Sequence, residues 1–189
     1  MVLNQNDSLD EFLVYKCSIY NCFIFMVCPL CIYIFIEKQK IILIENKKLI
    51  FEAPISTAKN GVGEQINSGC TPRGWHQIRA KIGEKCPINT VFKGRRPTGE
   101  IYTSALGQTY PNRDWILTRI LWLSGLEPSK NRFGSVDTMK RYIYIHGTPE
   151  EIPIGIPNSH GCIRIYNEPL LKLFDYVQIG TPVFIAKKD

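Results

Sequence analysis

Alternating hydrophobic and polar residues mark two short strands near the C-terminal end of the chain. The first is residues 142–146, Tyr-Ile-Tyr-Ile-His, and the second is residues 162–166, Cys-Ile-Arg-Ile-Tyr. A short polar loop containing Pro and Gly joins them. Alternation of this kind over four or more residues is typical of half-buried strands. Both segments are therefore predicted to be strands.

Other segments also have the composition of strands, and one has the spacing of a helix. Residues 167–169, Asn-Glu-Pro, predict a helix start, because Asn caps helices and Pro is favoured at an early helical position. The predicted strands are Ile41–Ile44, Leu49–Ser56, Trp75–Ile82, Trp115–Leu123 and Val183–Ala186. The first two should form a hairpin through a turn at 46–48, and a helix remains an alternative for Trp115–Leu123. This pattern predicts a mostly-β sandwich or barrel with one or two short helices.

Residues 17–36 contain no charged side chain, and twenty such residues are long enough to cross a bilayer as a helix. Three interpretations compete: a signal anchor, a cleaved signal peptide, and residues outside the working domain, with translation starting at Met26. A signal peptide is disfavoured, because acidic residues outnumber Lys16 on the N-terminal side and no small-residue cleavage site follows. The anchor is complicated by four lysines that would hold the following domain in the cytoplasm: Lys38, Lys40, Lys47 and Lys48.

Length and composition indicate one globular domain, residues 39–189, preceded by the hydrophobic segment 1–38. Hydrophobic residues are 44% of the chain and charged residues 21%, which argues against disorder. The net charge of +6 is spread along the chain. It suits a partner with carboxylates or phosphates, and without a basic arm nucleic-acid binding is not expected. The seven cysteines leave at least one thiol free, and whether Cys70 and Cys86 pair stays open.

The two strands of the opening pattern carry groups that suit nucleophilic catalysis. A cysteine thiol is mostly protonated near neutral pH and needs a base or a positive neighbour. If the strands pair side by side, His146 could reach the sulfur of Cys162. Gly161 lets the backbone turn, and amides there could stabilise an oxyanion. Arg164, two residues after Cys162, faces the same side and could hold a carboxylate or phosphate.

A metal site and a purely structural role are the alternatives to catalysis for these residue types. A zinc site made of His146, His160 and Cys162 would need a fourth ligand or an open water position, and only Glu150 and Glu151 lie near in sequence. No metal and no cofactor are therefore expected. A buried structural role is the favoured interpretation for the third histidine, His76, which shares a strand face with apolar residues.

At this point the residues resemble the signature of the YkuD-type L,D-transpeptidases. The first part of the signature is His146-Gly147-Thr148, and the second is Ser159-His160-Gly161-Cys162-Ile163-Arg164. Twelve residues, 147–158, lie between His146 and Ser159. Upstream, Pro54-Ile55-Ser56-Thr57 and Thr71-Pro72-Arg73-Gly74 are also similar to segments of that family. The resemblance covers roughly residues 39–189 and not residues 1–38.

The resemblance implies a β-sandwich domain that transfers an acyl group on peptidoglycan stem tetrapeptides, forming 3→3 cross-links in the cell wall. It implies Cys162 as nucleophile, His146 as general base and the Gly147 carbonyl as the group that orients His146. The remaining site residues fall into two sets. Gly161, His160 and Ser159 would form the oxyanion site and pocket, and Arg164, Tyr144 and Thr148 would bind substrate.

Alternatives to this function stay open. An L,D-carboxypeptidase would use water as the acceptor, and a non-catalytic envelope-binding protein would do no chemistry. The expected location is the cell envelope, on the periplasmic side of the inner membrane, with possible anchoring through 17–36 and the domain acting as a monomer. Four arginines of the segment 83–140 are expected to include contacts to stem-peptide carboxylates, with a solvated rim as the alternative: Arg95, Arg96, Arg113 and Arg119.

Overall fold

Ten strands and two helices make up residues 29–188, the part of the chain that the computed structural model describes. The strands are β1 (Leu30–Phe35), β2 (Lys40–Glu45), β3 (Lys48–Pro54), β4 (Gly74–Ile82), β5 (Thr90–Lys93), β6 (Arg96–Ile101), β7 (Leu117–Gly125), β8 (Tyr144–Thr148), β9 (Ile163–Tyr166) and β10 (Pro182–Ala186). The helices are α1 (Ser104–Thr109) and α2 (Asn167–Tyr176), with a 3₁₀ turn at Gly134–Val136. The mostly-β prediction with one or two helices is confirmed.

The strands form one sheet that curls until its two ends meet. Its order is β3-β2-β1-β10-β4-β7, with β5 and β6 continuing beyond β7, and β8 and then β9 joined to β7 as well. Pairings are antiparallel except β1 with β10 and β8 with β9, which are parallel. Ser56, just after β3, exchanges two backbone hydrogen bonds of 2.8 Å with Arg164 of β9. This bridge closes the sheet at β9, the strand that directly follows Cys162.

Apolar side chains from both ends of the sheet meet in a single main core. The alternation along β8 and β9 sends Ile145, Ile163 and Ile165 inward, and all three are fully buried. Helix α2 covers this core with Leu170, Leu173 and Phe174. Since the apolar positions of β8 and β9 are used for packing, the polar positions of the same strands must point away from the core.

The sheet begins earlier than the predicted domain boundary at residue 39. Strand β1 pairs with β2 and β10, and its Ile32 and Ile34 lie in the main core. The boundary was therefore wrong, and so was a membrane span that continues to residue 36. A buried strand and a membrane helix both lack charged residues, so composition does not separate them. The rest of the predicted span, 17–28, lies outside the described residues, among which no helix is long and apolar enough to cross a membrane.

Most other local predictions are confirmed. The turn at Asn46 and Lys47 has positive φ at both residues, as a two-residue hairpin of type I′ requires. Trp115–Leu123 is a strand, β7, which eliminates the helical alternative. The helix start is one residue off, because Asn167 is the first helical residue and not the cap. Its side chain instead accepts a hydrogen bond from the Thr118 hydroxyl at 2.7 Å, inside the fold.

Candidate active site

Parallel pairing of β8 and β9 brings the predicted site residues to one side of the sheet. In the register, Ile145 lies opposite Ile163 and His146 opposite Arg164. Cys162 directly precedes β9, so it and Arg164 share the strand face that carries His146. Paired residues on parallel strands are about 4.8 Å apart. His146 and Cys162, which have fifteen residues between them in sequence, are thereby brought to one site.

His146 is buried and its ring is held by the backbone next to it. Its Nδ1 lies 2.8 Å from the carbonyl oxygen of Gly147. Because a carbonyl only accepts, Nδ1 carries the proton and Nε2 is left with its lone pair. Burial lowers the pKa of His146 from its ordinary value, although the Asp114 carboxylate and the Gly147 carbonyl oppose this effect. At neutral pH the ring is therefore a neutral base.

The sulfur of Cys162 is half-buried between two backbone groups of the neighbouring segment. It donates to the carbonyl oxygen of Tyr142 at 3.4 Å and accepts from the backbone N–H of Tyr144 at 3.4 Å. Burial raises the pKa of Cys162 to about 12, against the Tyr144 N–H bond, which lowers it. Cys162 therefore rests as a thiol, while His146 on the neighbouring strand is a neutral imidazole.

The loop before the nucleophile is fixed by hydroxyl groups. The Ser159 hydroxyl donates to the Cys162 carbonyl at 2.5 Å and accepts from the N–H of Gly161 at 3.2 Å. The Thr71 hydroxyl donates to the Gly161 carbonyl at 3.0 Å. The N–H of Gly161 is thus engaged by Ser159, which argues against its predicted role as an oxyanion donor. Within residues 29–188 the N–H of Cys162 has no hydrogen-bond partner, so it remains available.

Gly161 and Gly147 are glycines for geometric reasons. Gly161 has a φ of +133°, and a Cβ there would lie 3.3 Å from the Cys70 carbonyl oxygen. At Gly147 a Cβ would lie 2.2 Å from the Asn167 side-chain oxygen and 2.6 Å from the Leu117 carbonyl oxygen. A side chain is therefore unfavourable at both positions, at Gly161 because of its φ and at Gly147 because of the close approach.

Arg164 is buried and its guanidinium is bound by its own chain. One nitrogen donates to Asp114 at 2.7 Å, and another contacts the backbone and side-chain oxygens of Asn158 at 3.0 and 3.2 Å. The exposed ring of His160 lies with its Nδ1 3.6 Å from the second oxygen of Asp114. These contacts indicate that Arg164 fixes the loop that contains Asn158. Because its nitrogens are already bonded, they argue against the predicted role of Arg164 in binding substrate.

The other two residues predicted to bind substrate are buried. Tyr144 has its hydroxyl bonded to Arg95 at 3.0 Å, and burial raises its pKa. Thr148 is fully buried, and its hydroxyl has no hydrogen-bond partner among the described residues. The burial of Thr148 argues against contact with a substrate at the protein surface.

Sequence reasoning missed three residues that the fold adds to the site. Asp114 joins Arg164 and His160, and its charge acts on His146. Thr71 belongs to a segment that the resemblance singled out, but its bond to the nucleophile loop was not foreseen. Arg141 donates to the Cys70 carbonyl at 2.6 Å, and its charge reaches Cys162. Each lies more than 18 residues from Cys162 in sequence, so no local pattern could have found them.

The four arginines expected to contact substrate have different environments. Arg119 is buried and donates to the carbonyls of Cys86, Glu84 and Thr118, which gives it a structural role. Arg113 is paired with Glu100 at 2.6 Å. The exposed side chain of Arg96 makes no hydrogen bond with the described residues. Arg95 alone of the four is linked to the residues around Cys162.

The side chains of Cys70, Cys86 and His76 make none of the site contacts given above. Cys70 and Cys86 are both free thiols, so they do not pair. His76 is fully buried between the Gly74 carbonyl and the Thr138 hydroxyl, and burial lowers its pKa to about 4. Its predicted structural role is confirmed. No three His, Cys, Asp or Glu side chains of residues 29–188 are grouped to hold a metal ion, which leaves the zinc alternative without support.

The curled sheet carries a half-buried thiol at the start of β9 and a backbone-oriented histidine on the neighbouring strand β8. Residues 31–185 match the family model described as the YkuD L,D-transpeptidase catalytic domain. The chain belongs to this family and so carries the catalytic domain of an L,D-transpeptidase, which is a class of acyltransferase. The predicted family is confirmed.

Curated relatives match over about a quarter of the chain. A protein of Salmonella typhimurium named "Probable L,D-transpeptidase ErfK/SrfK" is 44% identical over 48 residues, which is 25% of this chain and 16% of that protein. One of Escherichia coli K12 named "Probable L,D-transpeptidase YbiS" is 46% identical over 43 residues, 23% of this chain and 14% of that protein. The aligned parts thus span less than a fifth of either relative.

Solved structures share the fold. An L,D-transpeptidase from Mycobacterium smegmatis superposes with a TM-score of 0.51 at 17% identity, covering 84% of this chain and 59% of that one. L,D-transpeptidase 3 from Mycobacterium tuberculosis gives a TM-score of 0.51 at 15% identity, with 84% and 61% covered. At these identities the likeness extends to the fold alone.

Proposed function

We propose that this chain is a cysteine-dependent L,D-transpeptidase that acts on peptidoglycan stem tetrapeptides and forms 3→3 cross-links. The observation that carries the proposal is the placement of Cys162 and His146 on one face of two parallel strands, with His146 oriented by the Gly147 carbonyl. The family of the chain supports the same chemistry. Its relatives are named as L,D-transpeptidases, although the matches cover small parts of them.

Acylation begins from a protonated thiol. Nε2 of His146 takes the proton of Cys162 as the sulfur attacks the carbonyl carbon of the L-centre, commonly diaminopimelate. The C–N bond to the terminal D-residue then breaks, and the imidazolium returns the proton to the leaving amine. A thioester on Cys162 remains. The raised pKa of Cys162 favours proton transfer that accompanies the attack over a thiolate formed beforehand.

Deacylation repeats the same steps with a second peptide. The side-chain amine of an acceptor stem attacks the thioester carbonyl, His146 accepts its proton, and the C–S bond breaks to restore the thiol. The Nδ1–H bond to the Gly147 carbonyl keeps the imidazole in the orientation and tautomer that both steps use. This backbone carbonyl stands where other triads place a carboxylate.

Negative charge forms on the carbonyl oxygen in both steps and needs donors. The N–H of Cys162 is the donor we propose, since the N–H of Gly161 is bonded to Ser159. A preorganised donor in such a site contributes about 3–4 kcal/mol to the transition state. The rigid loop that Ser159 and Thr71 hold keeps this donor in place.

Such a reaction would place the domain in the cell envelope, and we propose the periplasmic side of the inner membrane, where the stem peptides are cross-linked. The substrate would carry several carboxylates. The net charge of +6 favours the approach of such a molecule.

Mass spectrometry of the full chain incubated with disaccharide-tetrapeptides tests the proposal. The wild type should give a dimer that has lost one terminal D-residue, and Cys162→Ala should give none. Cys70→Ala removes another free thiol and is the matched control, which should retain the reaction. Accumulation of tripeptide without dimer would assign water as the acceptor. Unaltered peptides together with no carbapenem adduct on Cys162 would refute both enzymatic functions.

A further inference from the structure

Arg95 lies in the two-residue turn between β5 and β6, in a conformation unusual for a side chain of its size. Its φ is +66° and that of the preceding Gly94 is +55°. Positive φ costs a non-glycine residue about 1 kcal/mol or more and persists where surrounding contacts hold it. Positive φ at both positions is what a two-residue type I′ hairpin requires, as at Asn46 and Lys47, and this turn fixes the backbone from which the Arg95 side chain extends.

The guanidinium of Arg95 is fixed on three aromatic residues next to the nucleophile. Its carbon lies 4.6 Å from the ring centre of Trp122 and 4.8 Å from that of Tyr142. One of its nitrogens donates to the Tyr144 hydroxyl at 3.0 Å. The backbones of Tyr142 and Tyr144 are the same ones that hold the sulfur of Cys162. The turn and the nucleophile are therefore linked through two residues.

Among the described residues Arg95 has no carboxylate partner, in contrast to three other arginines. Arg73, Arg113 and Arg164 are each paired with a carboxylate, at 2.8, 2.6 and 2.7 Å respectively. Within residues 29–188 the Arg95 side chain makes its single hydrogen bond to a neutral phenol. A guanidinium has five N–H donors in a planar fork that fits a carboxylate through two parallel bonds. The rings hold this fork, and its remaining donors are unused.

We propose that Arg95, with its guanidinium held by Trp122, Tyr142 and the Tyr144 hydroxyl, forms a subsite that binds a carboxylate of the peptide whose carbonyl Cys162 attacks. The two rings shield the faces of the guanidinium from water and hold the group in one orientation, so that its N–H donors are preorganised for a ligand. The subsite rests on the proposed function for the identity of its ligand. It concerns recognition, and Arg95 takes no part in the transfer of protons.

Binding in the Cys162→Ala background tests the subsite without requiring acyl transfer. Dissociation constants are measured by calorimetry for the stem tetrapeptide and for two analogues, one amidated at the side-chain carboxylate of its third residue and one at its terminal carboxylate. Combined with Cys162→Ala, Arg95→Gln should weaken binding of the parent peptide on the order of 10-fold or more. It should not weaken binding of the one analogue that lacks the recognised carboxylate.

Arg96→Gln is the matched control. Arg96 is the next residue along the chain and its side chain is exposed, so this substitution removes the same charge without touching the subsite. It should leave all three dissociation constants within about 2-fold. Arg95→Lys keeps the charge and loses the fork, so an intermediate loss is expected, and it replaces Arg95→Gln if that variant does not fold. Equal effects of Arg95→Gln on all three peptides, or effects equal to those of Arg96→Gln, would overturn the proposal. Failure of the wild type to acylate would refute the proposed function alone.

Discussion

Asp114→Asn tests how a residue that only the tertiary structure brings to the site affects its stability and its electrostatics. Asp114 comes from the segment before β7, bonds the buried Arg164 at 2.7 Å and lies 3.6 Å from His160. Its charge also favours the protonated form of His146. Asparagine keeps the shape and one acceptor oxygen while it removes the charge. The change therefore tests electrostatics with little change in packing.

The size of the effect follows from burial on each side of the ion pair. Removing one partner of a fully buried pair costs about 3–5 kcal/mol, because the other charge is left without compensation. The Asp114 side chain is 46% exposed, whereas that of Arg164 is 8% exposed and keeps its bonds to Asn158. We therefore expect a smaller loss of about 1–2 kcal/mol. In a domain of this size that lowers the melting temperature by roughly 2–8 °C.

Activity against pH gives the second, independent measurement. His146 must be neutral to accept a proton, so kcat/KM falls as pH drops through its pKa, which burial places below the ordinary value. Without the Asp114 carboxylate this pKa falls further, and the acid limb of the profile should move to lower pH. Both limbs are read by the rate of acyl-enzyme formation on Cys162.

Asp175→Asn removes a carboxylate from an exposed position of helix α2 and serves as the control. It should change neither the melting temperature nor the acid limb. If Asp114→Asn behaves like this control in both measurements, Asp114 does not support the site. If only stability changes, its role is confined to holding Arg164, and the electrostatic coupling to His146 is wrong.

Two further predictions concern Gly147 and His76. Gly147→Ala places a methyl group against the Asn167 side-chain oxygen and the Leu117 carbonyl, so it should lower the free energy of unfolding by about 1–3 kcal/mol. It should also reduce kcat by moving His146, and an unchanged melting curve would contradict the prediction. His76 is neutral in the folded state, with a pKa of about 4 against an ordinary 6.5, so the unfolded chain binds more protons below 6.5. Stability should fall by about 3 kcal/mol between pH 6.5 and 4 from this residue, and urea titrations of His76→Gln should show a weaker acid dependence.

Much of the fold could be predicted because alternation along a strand is a local property. The hairpin of β2 and β3, strands β4, β7 and β10, and helix α2 all follow from spacing, and the structure confirms them. Strand β1 was missed because its six residues, Leu30–Phe35, are apolar on both faces and continue an uncharged run. A strand buried on both faces carries no alternation, so periodicity gave no signal for it.

The sequence alone determined which residue types could do chemistry here and, through the His146 and Cys162 motif, the family. It also determined that both lie on alternating strands, because side-chain direction follows from position within a strand. Only the tertiary structure decided that β8 and β9 pair in parallel, that the Gly161 N–H is engaged by Ser159, and that Arg164 is neutralised by Asp114. The bond between Gly161 and Ser159 is local but depends on how the loop folds, whereas the strand pairing and the Arg164–Asp114 pair join residues far apart in sequence that only the fold brings together.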